Sequence, residues 1–309
     1  MIPAKVPANE SEVSTLRDLR QSPAIVFGAT GMVGRFLVDR LVGGGVETIA
    51  ISRRAQAARP RVKWITADFT NLDLGAHDHA RVAFNMGPIW KLPAALPALH
   101  EAGVVRVVAI SSTSRFTKTT SPIKSEREVV GWLIDGETQT QEYCEKHGIA
   151  WTILRPTVIY AEGQDRSITR LANLIRRFRV LPVAGRARGR RQPVHADDLA
   201  AGAIAAAVSA AAENRAYDLP GGETLTYHAM CERIFEGLGY PPRIISIPPA
   251  LWRLGMSGAS VLMPGITTAM GTRMAEDLTF DAAAAERDFG WHPRGFRPQF
   301  QIKGAGQPC

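Results

Sequence analysis

A short apolar strand that runs into a glycine turn, a regular alternation of strand-like and helix-like runs behind it, and an ordinary globular composition predict an α/β fold. The predicted form is a Rossmann-like doubly wound parallel sheet with a small C-terminal lobe. Hydrophobic residues make up 45% and charged residues 21% of the 309 positions, which excludes a disordered or collagen-like chain. A chain of this length can bury a sizeable core. Cys144, Cys231 and Cys309 are far apart and form no Cys-x-x-Cys pair. That argues against a disulfide framework or structural zinc, and for reduced thiols in a cytoplasmic protein. Residues 1–21 carry Glu10, Glu12 and Asp18 without an apolar run of signal-peptide length, and read as an N-terminal arm.

The first strand is Ala24-Ile-Val-Phe-Gly28. The turn Gly28-Ala-Thr30-Gly31-Met32-Val33-Gly34 follows it, and an apolar-periodic helix then runs to Val42, stopped by Gly43-Gly-Gly45. Further strands are expected at 46–51, 62–66, 81–84, 104–110 and 149–154, with helices at 93–102 and about 125–147. Strands alternating with helices imply right-handed βαβ crossovers and a parallel sheet covered on both faces. The second half reads as a basic helix over 168–179, an alanine-rich helix over 196–212 with Asp197 and Asp198 in its first turn, a strand at 216–219 and a helix over 226–238. The expected organisation is a dinucleotide-binding domain over 22–165 plus parts of 192–220. A substrate lobe would be made of 166–191 and 221–309.

The glycines of the turn have distinct tasks. The first permits a tight turn, the second lets a pyrophosphate approach the backbone, and the third lets helix pack close to strand, so the phosphates sit at the helix N-terminus. An NAD site places an acid at the end of the second strand. This chain has Ser52-Arg53-Arg54 there, and two guanidinium groups suit a ribose 2′-phosphate, so NADP(H) is preferred over NAD(H).

The glycine turn, Asp68 after the third strand, Ser111-Ser-Thr-Ser114, Leu154-Arg-Pro-Thr-Val-Ile-Tyr160 and Pro193-Val-His-Ala-Asp-Asp-Leu199 resemble the extended branch of the short-chain dehydrogenase/reductases. That branch comprises the NAD(P)-dependent nucleotide-sugar epimerases and dehydratases. The resemblance covers about 22–300, and it implies roles residue by residue. Residues 28–34 would hold the pyrophosphate and Arg53 and Arg54 the adenosine ribose. Asp68 would meet the adenine, and Asn85, Met86 and Gly87 the middle of the cofactor. Ser111 would lie at the cofactor edge, and Ser112 matches the family's catalytic Ser/Thr. Pro156, Val158 and Tyr160 would flank nicotinamide and substrate. Arg191 stands where the family grips a substrate diphosphate, and His195 orients the loop before the next helix. A homodimer through 90–102 and 125–147 is a further implication.

The family's chemistry also needs Tyr-x-x-x-Lys on the helix after the fifth strand, where the Lys lowers the Tyr pKa for proton exchange. The five tyrosines are 143, 160, 217, 227 and 240, and none has Lys four residues on. Alignment forward from Pro122 puts Ile123 and Arg127 at the two positions. Alignment backward from Gly148, with Glu137 at a family Glu, puts Val129 and Leu133 there. Three readings stand. Another group replaces the phenol, with Ser112, Thr113, Lys118 and Lys124 in the right loop and Tyr143 on the helix. Alternatively the protein binds the cofactor without turnover, as a sensor or assembly subunit, or the substrate carries its own proton. The leading reading is an NADP(H)-dependent oxidoreductase or epimerase acting on a small polar, nucleotide-linked substrate.

Seven arginines lie within 176–191, and the net charge is +8. With Phe178 the lone aromatic among them, an anionic small-molecule substrate fits better than nucleic acid. His77-Asp-His79 has poor spacing for zinc, and no metal is expected. Leu254–Gly271 carries no charge, but Pro264 and four glycines argue against a membrane span and for a buried helix pair or lid.

Overall fold

The computed structural model describes residues 16–74, 79–252, 271 and 273–300. The arm up to residue 15, His77 and Asp78, nearly all of the uncharged stretch and Cys309 lie outside the described residues. The chain divides into two compact units. The first comprises 1–156, 196–219 and 282–292, and the second comprises 157–195, 220–281 and 293–309.

The first unit is built on seven parallel strands: β1 (Ala24–Phe27), β2 (Thr48–Ser52), β3 (Val62–Thr66), β4 (Val82–Asn85), β5 (Arg106–Ile110), β6 (Ala150–Pro156) and β7 (Arg215–Leu219). Their order is β7-β6-β5-β4-β1-β2-β3, the doubly wound arrangement that the sequence predicts. β1, β2 and β5 are buried along their whole length, which is why they read as unbroken apolar runs rather than alternating ones. Helices α1 (Met32–Gly43), α2 (Leu96–Glu101), α3 (Lys124–Lys146), α4 (Ala196–Val208) and α5 (Ala283–Phe289) cover the sheet.

Several local features differ from those expected. The helix expected over 93–102 is a 3₁₀ turn, Ile89–Ala95, followed by α2. Pro93 lacks the N–H that would continue an α-helix through it. The alanine-rich helix ends at Val208, and a short 3₁₀ turn spans Ala210–Ala212. Asp197, expected to serve the start of α4, does lie in its first turn, but its carboxylate accepts from Arg40 Nε of α1 at 2.7 Å, 157 residues away. Residues 282–292 belong to the first unit, whereas 157–165 belong to the second. Asp288 explains the first of these, since its Oδ2 accepts from Tyr217 Oη at 2.7 Å and its carbonyl from Ser209 Oγ at 2.6 Å.

In the second unit, helices Ile168–Phe178 and Tyr227–Gly237 pack around Tyr160, Ile175, Phe235 and Phe296. The first ends one residue early because Arg179 is left-handed, with φ 58°. The second starts at Tyr227 because Thr226 caps it, accepting from Ala229 N at 3.0 Å. A two-stranded parallel ribbon joins Leu181–Ala184 to Ile244–Ile247. Among the described residues no helix is long and apolar enough to cross a membrane.

Candidate functional site

β1 ends at Gly28, whose φ of +67° an L side chain rarely adopts. A Cβ on Gly28 would lie 2.8 Å from Gly87 N, and one on Gly34 would collide with the Gly28 carbonyl. The turn and the helix behind it therefore close only with glycine at these places. Gly31 is the N-cap of α1; no side chain caps it and no acid stands in the first turn. The first N–H groups of α1, at Met32, Val33 and Gly34, thus open onto the turn at Thr30 without an internal acceptor, which is the donor set a pyrophosphate requires.

Neighbouring strand ends complete this edge. Asn85 is almost fully buried, its Nδ2 finds no acceptor among the described residues, and its Oδ1 accepts from Gly87 N at 3.0 Å. Met86 N donates to Phe27 O at 3.0 Å, tying β4 to β1. Asp68 folds its own turn: Oδ1 accepts from Thr70 N at 2.9 Å and Thr70 Oγ1 at 2.8 Å. Those bonds, the backbone one first, hold its carboxyl below the usual range. Phe69 stacks on Phe27 at 4.8 Å.

At the end of β2, Ser52 Oγ donates to Arg54 O at 2.8 Å and shapes the loop. Arg59 and Arg61, which make the stretch look uniformly basic in sequence, are paired with Asp39 at 2.6 Å and Glu47 at 2.7 Å. Arg53 and Arg54 are exposed and have no carboxylate partner among the described residues. The open helix end and the unpaired guanidinium groups fit a phosphate-bearing dinucleotide.

The C-terminal edge of β5 and β6 holds a polar network. Glu137 of α3 is 1% exposed. It accepts from Ser111 Oγ and Arg115 Nη1, and from Arg155 Nη2 at 2.6 Å and Nε at 3.0 Å. Arg155 and Arg115 both flank the Phe116 ring, at 5.3 and 5.2 Å. Asp218 of β7 stands in register with Arg155. Its carboxyl is raised by burial, against the pull of Arg155 and Arg115, and its Oδ1 has no hydrogen-bond partner among the described residues. In the folded state Asp218 therefore holds its proton more tightly than in the unfolded chain. Its effect on stability is unfavourable at neutral pH and fades as pH falls through the carboxylate range. Asp218→Asn is expected to raise the melting temperature at pH 7 and to lose that advantage near pH 4, where an ordinary aspartate carboxyl titrates; an equal gain at both pH values would contradict the assignment.

The serine loop is less free than its sequence implies. Thr113 Oγ1 donates to Pro156 O at 3.0 Å, and Ser112 Oγ accepts from Ser114 N at 3.1 Å. Lys124 points to solvent and pairs with Glu128 at 3.7 Å, while Lys118 pairs with Glu126 at 3.2 Å. Neither lysine joins the buried network. Leu133, one candidate for the Lys position, lies in the core, with Val129 packed against it.

The remaining expected residues lie in the second unit. Tyr160 is a core residue, edge-on to His195 at 5.0 Å and Phe296 at 4.9 Å. Val158 O accepts from Val194 N at 3.0 Å. Arg191 is buried, and its guanidinium donates to the carbonyls of Arg190 and Glu276, at 2.7 and 2.6 Å, and of Arg273. It holds backbone together there. His195 meets Glu162 at 3.3 Å. Burial acts to raise the Glu162 carboxyl, but hydrogen bonds from His195 and Gln299 outweigh it and the net direction is down. The Glu137–Arg115–Arg155 network and Asp218 were not singled out by sequence reasoning. The one available signal was Glu137 at a family Glu position, together with Arg155 inside Leu154-Arg-Pro156. Among the described residues no three His, Cys, Asp or Glu side chains gather as a metal site would require.

Residues 28–176 match the NAD(P)H-binding domain family. Among curated proteins the chain is similar to protein y4nG of Sinorhizobium fredii, 25% identical over 65% of this chain and 52% of that one. It is also similar to the mitochondrial NADH dehydrogenase [ubiquinone] 1 alpha subcomplex subunit 9 of Arabidopsis thaliana, 22% identical over 73% and 60%. The matches thus span little more than half the length of these relatives. Among solved structures, an epimerase of Methanothermobacter thermautotrophicus superposes with a TM-score of 0.71, 16% identical over 93% of this chain and 92% of that one. MoeE5 in complex with UDP-glucose and NAD superposes at 0.66, with 18% identity over 89% and 94%. Residues 28–176 thus match an NAD(P)H-binding domain, and the chain shares the fold of these solved structures.

Proposed function

We propose that this protein is an NADP(H)-dependent oxidoreductase or epimerase acting on a small polar, nucleotide-linked substrate. The observation that carries the reading is the pairing of an uncapped α1 N-terminus with two exposed arginines at the end of β2 that lack carboxylate partners among the described residues. The turn at 28–34 binds the pyrophosphate, and Arg53 and Arg54 bind the 2′-phosphate. Asp68 and Asn85–Gly87 line the adenosine and the middle of the cofactor. When bound, the nicotinamide supplies hydride transfer at a carbinol or carbonyl carbon. Ser112 hydrogen-bonds the reacting oxygen, and the buried Glu137 network holds the serine loop in place. MoeE5 in complex with UDP-glucose and NAD, which shares the fold, supports a nucleotide-linked substrate. Trp132, 48% exposed and 5.6 Å from Trp90, supports a homodimer through the segments 90–102 and 125–147.

A second reading rests on a specific observation. No Tyr-x-x-x-Lys exists in the chain, and Leu133 fills core where one alignment places the Lys. With no phenol–lysine pair to move the proton, the protein would bind NADP(H) and report or assemble without turnover. The similarity to a subunit of mitochondrial NADH dehydrogenase supports that reading. Titration with NADPH, followed by its absorbance over hours with UDP-sugars and simple ketones, separates the two. Binding with substrate-dependent NADPH oxidation, or with conversion of a UDP-sugar to its epimer read by chromatography because epimerisation leaves the cofactor unchanged overall, supports the enzyme, and binding with neither across the panel supports the second reading. Failure to bind either nucleotide overturns both.

A further inference from the structure

The ribbon of the second unit carries charge and apolar surface that the nucleotide reading does not use. At one end, Arg177, Phe178 and Arg179 leave the helix consecutively and all are exposed. The Arg179 guanidinium lies over the Tyr240 ring at 3.6 Å, and Arg177 lies over Phe178 at 5.1 Å. Arg243, exposed beside them, accepts from Leu181 N through its carbonyl at 2.9 Å, where the ribbon begins. At the far end, past Ala184, Arg186 and Arg188 are exposed while Ala187 and Gly189 between and after them are buried. None of these five arginines has a carboxylate partner among the described residues. The acids nearby are taken: Asp277 pairs with Arg190 at 3.4 Å and Glu236 with Arg233 at 3.8 Å.

Large apolar side chains stand among these charges. Phe178 is 40%, Ile245 55% and Leu251 58% exposed. Ile244 and Ile247 pack against the core, so the exposed Ile245 belongs to the outward side of the ribbon. Unpaired cations beside exposed aliphatic side chains match the surface of an anionic bilayer. The arginines meet the headgroup charge, and the apolar side chains enter the boundary of the acyl region. A nucleic-acid surface would stack bases on aromatic rings instead, and here two of the three exposed apolar groups are aliphatic.

We infer that this ribbon is a peripheral docking surface for an anionic lipid bilayer. The test is co-sedimentation of the whole protein with phosphatidylcholine vesicles and with vesicles that also contain phosphatidylglycerol, at low and high salt. Binding is expected only with phosphatidylglycerol, and salt weakens it. Each juxtaposed arginine is worth on the order of fivefold in partitioning, so Arg177→Glu/Arg179→Glu/Arg243→Glu should lower it by about a hundredfold or more. Ile245→Asp should reduce the part that survives high salt. Circular dichroism and NADPH binding, read on the same preparations, report folding independently of the lipid result. No vesicle binding, equal binding by the triple variant, or displacement from vesicles by a single-stranded oligonucleotide that the protein prefers would overturn the inference.

Discussion

Arg53→Ala/Arg54→Ala should lower NADPH affinity by about a hundredfold or more and leave NADH affinity unchanged. The two arginines stand at the end of β2 with no carboxylate partner among the described residues, while Arg59 and Arg61 are held by Asp39 and Glu47. A hydrogen bond to a charged group contributes about 1.5–3 kcal/mol. Losing two from the 2′-phosphate removes roughly 3 kcal/mol or more, which is two decades in Kd. NADH has no 2′-phosphate and makes neither contact. Calorimetric titration of wild type and variant with both nucleotides measures the difference. Because the guanidinium groups are exposed, wild-type preference for NADPH should also shrink as salt rises. An equal loss for both nucleotides would place the arginines on a shared part of the cofactor. No loss at all would remove the basis for preferring NADP(H).

The contrast between these four arginines shows where sequence reading succeeds and where it stops. Local signals were legible. The strand before Gly28, the glycine spacing and the helix behind it all arise from short-range sterics and burial. The same holds for β2, β5 and β6, whose continuous apolar runs reflect burial on both faces. Pairing across the chain was not legible. Nothing in Arg59 or Arg61 distinguishes them from Arg53 and Arg54 until Asp39 and Glu47 are seen beside them. The pairing of Arg40 with Asp197 spans 157 residues, and no periodic pattern encodes it. Arg191 matched a substrate-gripping position, yet its donors serve the carbonyls of Arg190, Glu276 and Arg273. Tyr160, assigned to the substrate edge, lies in the apolar core with Phe296. A motif conveys residue type and order; which atoms satisfy a guanidinium depends on chain segments that the motif does not contain.

Glu137→Ala should be the most destabilising single change in the first unit outside its apolar core. The carboxylate is 1% exposed and is shared by Ser111, Arg115 and Arg155. Its removal leaves two guanidinium groups with little water to replace their partner, because the Arg115 and Arg155 side chains are only 21% and 16% exposed. Breaking a buried pair by deleting one partner costs about 3–5 kcal/mol. For a chain of this size that is a fall of roughly 10 °C in Tm. Glu137→Gln keeps an acceptor for Ser111 and should lie between wild type and Ala. Removing Arg155 alongside Glu137 should cost less than the sum of the two single changes, since one orphaned charge disappears with the other. Additive single effects would show that Glu137 and Arg155 do not act as a unit. The network also joins α3 to the ends of β5 and β6, where Ser111–Thr113 begin. Its loss should therefore weaken NADPH binding in the fraction that remains folded, because the loop would no longer be held by Ser111. Intact affinity in the folded fraction of Glu137→Ala would restrict the network to stability and leave the loop ordered by the Thr113–Pro156 bond instead.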